Sequence, residues 1–327
     1  MQFDSFIGNR KIMDRLQSKL RQGRFPHGLI FSGPAGVGKH TCAVMLAKAL
    51  NCTEATAGDF CDACSSCRKI ESGTHPDVTA ITLEEDASQI KIAQVRQLLS
   101  MLDLKPLEGR NKIFIIDPAD ALNAEAANAL LKGLEEPPEN SYFFLITVNV
   151  QELLFTVRSR CQVYNFTPLT LNEIRQHGIT DELTVRWSLG SIGRARALDI
   201  VRVKSEREVV LDFLETAIVS KEEQFQDLLG VSAELGRAKQ EFENRLEILA
   251  VLIADLLYVR EGVAERIVNV DLKDRLQKLA GRVPVERLLK MADFLRFIES
   301  SLKTHVNRQM LTDVLAITAN ETTAALL

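Results

Sequence analysis

Residues 29–32, Leu-Ile-Phe-Ser, run into Gly33-Pro34-Ala35-Gly36-Val37-Gly38-Lys39-His40-Thr41 and, after Cys42, into the helical pattern AVMLAKAL. No other stretch limits the fold as tightly. Glycines between a strand and a helix let backbone N–H groups curl round an anion at the helix N-terminus. A lysine at the end of the loop reaches the outer phosphates of a nucleotide. Gly33, Gly36, Gly38 and Lys39 are therefore expected to form a nucleotide-binding phosphate loop for ATP or ADP. Its chemistry is incomplete. The Ser or Thr hydroxyl that should follow the lysine and hold Mg²⁺ is replaced by His40, and imidazole is a poor ligand for that oxygen-seeking ion. Thr41 lies one residue on, roughly 100° round the helix, and is expected to point elsewhere.

The rest of the first half repeats the same alternation. Short apolar runs at Leu29–Ser32, Val78–Thr82, Ile113–Asp117, Tyr142–Thr147 and Gln162–Phe166 have the length and β-branched or aromatic content of buried strands. One intervening helix is marked by Ala127, Leu130, Leu131 and Leu134, with Asn123 as its N-cap and Pro137-Pro138 as its stop. Alternating strands and helices imply an α/β fold with a parallel sheet. Past Phe166 the strand signal fades. Leu171 to about Val203 reads as a small helical unit broken by Gly190 and Gly193, and the chain from about Lys204 onward as helical throughout. One apolar stripe runs through Phe242, Leu246, Leu249, Ile253, Leu256 and Leu257. A second helix is expected to open at Pro284 and carry Leu288, Met291, Leu295 and Ile298.

Ile113-Phe114-Ile115-Ile116-Asp117 has the form of the strand whose terminal aspartate holds Mg²⁺ in nucleotide hydrolases, but Pro118 stands where a water-polarising glutamate usually follows. Asp120 belongs to the following turn. Asp117 reads equally well as a strand-end residue capping that turn.

Four of the six cysteines fall within sixteen residues, as Cys52, eight residues, Cys61, two residues, Cys64, two residues, Cys67. Thiolates at this spacing close a tetrahedral Zn²⁺ site, with no position left for water, so a structural zinc is expected. Cys42, on the helix after the loop, reads as a small core residue.

A phosphate loop followed by a cysteine insert is a narrow combination, and the chain adds NALLKGLEEPP at 128–138 and Arg158-Ser159-Arg160-Cys161. Together these resemble the bacterial clamp-loader ATPases of the AAA+ class, over essentially the whole chain and most strongly from Gly28 to Cys161. Gly190-Ser191-Ile192-Gly193-Arg194 is similar to the family's second sensor region, and 307–315 to part of its collar. The resemblance implies a RecA-like AAA+ domain over 1–166 with a zinc insert at 52–67, a small helical lid over 167–204 and an all-helical collar over 205–327. It also implies a hetero-pentamer with gamma/tau and delta subunits that opens the sliding clamp and places it on primed DNA. In that family Ser159-Arg160-Cys161 presents Arg160 as an arginine finger to ATP in the adjacent subunit; without the resemblance, Arg160 reads as an arginine satisfying nearby carbonyls. Arg194 is a candidate sensor arginine or a surface charge. Thr147 is a candidate first sensor or a hydroxyl satisfying a strand end. With His40 and Pro118 in place of the motor residues, the chain resembles the delta-prime branch, which hydrolyses little or no ATP, more than the gamma/tau motors.

Three functions follow from different classes: a non-hydrolysing assembly subunit, an active motor in which Thr41 or water replaces the lost hydroxyl, and a zinc-dependent DNA-binding protein. The net charge of −4 over 327 residues argues against the third, which salt-dependent DNA binding would support. Arg10, Lys11, Arg15, Lys19, Arg21 and Arg24 read as a solvated helix face. With 46% hydrophobic and 26% charged residues, and neither a signal core nor an apolar run of membrane-spanning length, a cytoplasmic chain with no membrane partner is expected.

Overall fold

A computed structural model describes residues 2–54, 58–84, 87–102, 104–219, 225–235, 239–301 and 307–320. Residues 55–57, in the loop between Cys52 and Cys61, lie outside them. The chain divides into two compact units, Met1–Thr180 with Ser188–Arg196, and Asp181–Trp187 with Ala197–Leu327.

The first unit is built on five parallel strands, β1 (Gly28–Ser32), β2 (Val78–Ile81), β3 (Lys112–Ile116), β4 (Ser141–Thr147) and β5 (Gln162–Asn165), in the order β2-β3-β4-β1-β5. Every apolar run in the first half thus becomes a strand, within a residue of its expected ends. The runs are continuous because helices cover both faces. Side chains alternate across a strand. Leu29, Phe31, Ile113, Ile115, Phe144 and Ile146 join one buried cluster with Met13 and Leu16 of helix α1 (Arg10–Arg21) and Leu46 of α2 (Lys39–Asn51). Ile30, Phe114, Ile116, Phe143 and Leu145 join the other, with Val95 and Leu98 of α3 (Ile92–Ser100) and Leu130 and Leu134 of α4 (Ala124–Glu135). Burying one such side chain contributes about 1.5–3 kcal/mol. Asn123 caps α4 as expected, its side chain accepting from the Ala126 N–H at 2.8 Å.

Parallel strands put all their carboxyl ends on one edge, where open α/β sheets bind ligands. Ser32 pairs in register with Thr147, and Ile116 with Leu145. The residues after β1, β3 and β4 therefore meet at that edge: the glycine loop, Asp117 and Thr147.

The second unit is helical. The stripe residues Phe242, Leu246, Leu249, Ile253 and Leu256 are all buried, as are Leu288, Met291, Leu295 and Ile298. Pro284 sits one residue before its helix, Val285–Ser301, and its carbonyl accepts the first helical bonds from Arg287 and Leu288. A polar knot pins the centre. Buried Asp255 accepts from the N–H groups of Val268 at 2.7 Å and Asn269 at 2.9 Å, while Asn269 Oδ1 accepts from Trp187 and Arg207. No helix among the described residues is long and apolar enough to cross a membrane.

Candidate functional site

Gly36 and Gly38 turn the loop with φ of 72° and 97°, a region side chains rarely adopt. Both also lack room for one. A Cβ on Gly36 would lie 2.2 Å from Ser191 Oγ, and one on Gly38 would lie 2.8 Å from the Phe6 ring. Helix α2 starts at Lys39 without a side-chain cap, so its first N–H groups face the cleft, the arrangement that holds anions. Lys39 is buried and folds back to donate to the carbonyls of Gly33 at 2.5 Å and Pro34 at 2.6 Å. Burial pulls its pKa down, against the opposing charges of Asp117 and Asp120. The cleft holds about 420 Å³, and its lining includes Gly36, Gly38, Lys39, His40, Asp117 and Thr147. Gly36, Gly38, Lys39 and Asp117 therefore converge on one cavity, whereas Gly33 is not among its lining residues.

His40 does not merely stand where a hydroxyl should be. Its Nδ1 lies 2.9 Å from Asp117 Oδ2, and this hydrogen bond raises the imidazole pKa against the effect of burial. The hydroxyl position and the strand-end carboxylate thus close on each other. One expectation needs correction. Thr41, expected to point elsewhere, is among the residues that line the cleft. Of the second sensor region Ile192 and Gly193 line the cleft, and Arg196, two residues beyond it, lines the cleft beside them, while Arg194 does not. The Gly193 N–H donates to the Gly36 carbonyl at 3.1 Å, which docks this turn on the loop. Residues three apart share a helix face, so Arg196 follows Gly193 inward; that spacing was the signal for it. Thr147 both lines the cleft and satisfies its own strand end, its hydroxyl donating to the Asn149 carbonyl at 3.0 Å.

Cys52, Cys61, Cys64 and Cys67 come together with their sulfurs within 4.8 Å of one another. Separations of 3.5 Å for Cys52–Cys61 and 3.9 Å for Cys52–Cys64 are far too long for a disulfide. They bracket the ~3.8 Å edge of a tetrahedron built on Zn–S bonds of about 2.3 Å. The backbone supports thiolates here. The N–H groups of Cys61, Cys64 and Cys67 point at the sulfurs of Cys52, Cys61 and Cys64, at 3.3, 3.2 and 3.4 Å. Burial raises the Cys64 thiol, but hydrogen bonds from Cys67 and Thr53 outweigh it and bring the pKa to about 5. Buried Lys48, on α2, pairs with Asp62 inside the cysteine turn and with Glu71 at 2.6 Å, tying the insert to the helix that begins at the glycine loop. The four residues fit a metal such as zinc.

Arg160 follows the short helix Phe155–Arg158, just before β5. Its guanidinium is satisfied within its own chain, donating to the Thr156 carbonyl at 2.8 Å and pairing with Glu135 at 2.6 Å. Glu135 ends α4, in the LEEPP stretch. Cys161 packs beneath β1, where a Cβ on Gly28 would lie 2.9 Å from its sulfur, and burial lifts its thiol to about 12. Of the N-terminal basic residues, Arg10 pairs with Asp4 and Asp14, and Arg15 lies 5.6 Å over the Tyr164 ring.

Comparison with known proteins places these features together. Residues 8–170 match the family model described as DNA polymerase III, delta subunit, and residues 205–318 match its C-terminal counterpart. The chain is 30% identical to DNA polymerase III subunit delta' of Escherichia coli over 94% of this chain and 92% of that protein. It is 29% identical to subunit delta' of Bacillus subtilis over 95% and 96%. It is also similar to subunit tau of E. coli, 37% identical over 55% of this chain, but the match spans only 28% of tau.

Proposed function

The chain belongs to the delta-subunit family of DNA polymerase III, the clamp-loader branch of the AAA+ proteins, and from that premise we propose that it acts as a delta-prime-type clamp-loader subunit. In this reading it hydrolyses little or no ATP. It assembles with gamma/tau and delta subunits in a hetero-pentamer and supplies Arg160 in trans to the neighbouring motor's ATP. The complex then loads the sliding clamp on primed DNA. The lid over 167–204 and the collar over 205–327 are part of the same proposal, as is a structural Zn²⁺ on Cys52, Cys61, Cys64 and Cys67.

The observation that carries the reading is the pairing of His40 with Asp117, beside Pro118, in a chain that keeps Ser159-Arg160-Cys161. A hydrolytic site needs a metal-held phosphate and an oriented water. Here the residue that should hold the metal has an imidazole on its carboxylate, and the residue that should orient water is proline. The full-length likeness to two delta' subunits supports the same branch.

A motor reading draws on two observations, the higher identity to tau over 28% of its length and the place of Thr41 in the cleft. Turnover by the purified chain separates the two. The expected result is negligible ATP hydrolysis alone, and clamp- and DNA-stimulated hydrolysis once the chain is reconstituted with a gamma/tau motor and delta. Turnover by the isolated chain at a motor's rate, surviving purification and abolished by Lys39→Ala, would establish the motor reading instead.

A further inference from the structure

The divalent cation that accompanies nucleotide in AAA+ proteins does not fit this cleft. Mg²⁺ demands near-octahedral oxygen ligands at about 2.0–2.1 Å. The side chain after Lys39 offers nitrogen, and that nitrogen is spent on Asp117 Oδ2, 2.9 Å away. The two positions that should flank a metal are joined directly, leaving no shared space for an ion between them.

The anion-binding half of the site is intact. The loop keeps its turns at Gly36 and Gly38, the N-terminus of α2 has no side-chain cap, and Lys39 and Arg196 both line the cavity. Removing Mg²⁺ from an ordinary site of this kind leaves a bare aspartate facing the phosphates, which repels them. In this cleft Asp117 is not bare, because His40 covers it. The charged groups that remain are Lys39 and Arg196 on the favourable side and Asp120 on the other. Lys39 is held by two neutral carbonyls, and a phosphate oxygen competes well with them, since it adds the attraction of an opposite charge to the hydrogen bond.

We propose that the cleft binds the phosphate chain of a nucleoside di- or triphosphate without a divalent cation, the His40–Asp117 pair standing where the cation would. Such a nucleotide would act as a fixed part of the fold, bridging the glycine loop to the Ser191–Arg196 turn that is docked on it. The inference does not depend on the role given to Arg160.

The test is equilibrium binding of a fluorescent ADP analogue, methylanthraniloyl-ADP, to the full chain in Mg²⁺ and in EDTA. The expected result is saturable binding with the same Kd in both buffers, and a loss of at least ~10-fold for Lys39→Ala, the value of one charge-assisted bond. His40→Ser restores a hydroxyl and uncovers Asp117, and should make binding metal-dependent, weaker in EDTA than in Mg²⁺ by about 10-fold or more. Three outcomes overturn the proposal: wild-type affinity that collapses in EDTA, no saturable binding by folded protein in either buffer, or His40→Ser binding as indifferent to metal as the wild type. None of them touches the clamp-loader reading, which is judged on turnover by the reconstituted complex.

Discussion

Replacing Arg160 with alanine is expected to leave folding, zinc content and complex assembly intact while silencing one motor site and sharply reducing clamp loading. Phosphoryl transfer spreads negative charge over the departing γ-phosphate, and a guanidinium aimed at it from a neighbouring subunit stabilises that charge, by about 10³- to 10⁵-fold in rate where such fingers serve GTPases. In the proposed ring, total ATPase should fall only in part, because only the site that Arg160 faces loses its guanidinium. Within its own chain Arg160 has little structural work. Its ion pair with Glu135 joins side chains 34% and 48% exposed, and exposed pairs contribute roughly 0–1 kcal/mol. The same weakness lets a stronger anion draw the guanidinium away. Arg160→Lys should be nearly as damaging as alanine, since lysine lacks the planar fork that engages two phosphate oxygens. Glu135→Gln, which frees the arginine without removing it, should load clamps almost normally. The checks are single-turnover hydrolysis and clamp loading by reconstituted complexes. Wild-type loading by an assembled Arg160→Ala complex would reduce Arg160 to a residue that ties the Phe155–Arg158 helix to α4.

What could be read from the amino-acid order was whatever repeats at short range. The strands were legible because both faces of the sheet are covered, so β1, β3 and β4 are unbroken apolar runs. Asn123 and Pro137 bracket α4 because caps and stops act within a turn. The cysteine spacing pointed to the four-sulfur cluster for the same reason. Long-range pairings were not legible. Nothing in the local sequence says that His40 finds Asp117, 77 residues away, or that Arg160 reaches back to Glu135. Both depend on parallel crossovers, which bring the ends of β1 and β3 together at one edge and the end of α4 beside the start of β5 at the other. For a related reason Arg196 was not singled out. Which arginine of a short helix faces the cleft is set by how Gly193 docks on Gly36, a backbone contact with no sequence period. Lys48 escaped notice because its neighbours on α2 are apolar; its partners, Asp62 and Glu71, come from the insert.

Stripping the metal is the second change expected to have a large effect. Each chain should carry one tightly bound zinc, and a Cys61→Ser, Cys64→Ser double variant should carry none. Structural zinc contributes an apparent ~10–16 kcal/mol in isolated finger peptides. The contribution here should be smaller, because Cys52 and Cys67 already belong to the core cluster that contains Phe3, Leu46 and Phe60, and part of the insert is held by packing without the ion. Even a loss of about 3 kcal/mol would lower the melting temperature by roughly 6–12 °C for a domain of this size. The fall should be concentrated in the first unit, because Lys48 anchors the cysteine turn to α2, and α2 carries the glycine loop at its other end. Loss of zinc should therefore loosen the cleft as well as the insert. Hydrogen exchange would show this as faster exchange along α2 from Cys52 back toward Lys39, with the helices of the second unit unchanged. Elemental analysis of metal-clean preparations comes first. Less than about a tenth of a zinc per chain, with four freely titrating thiols in folded protein, would mean that the cysteines are held together by packing alone.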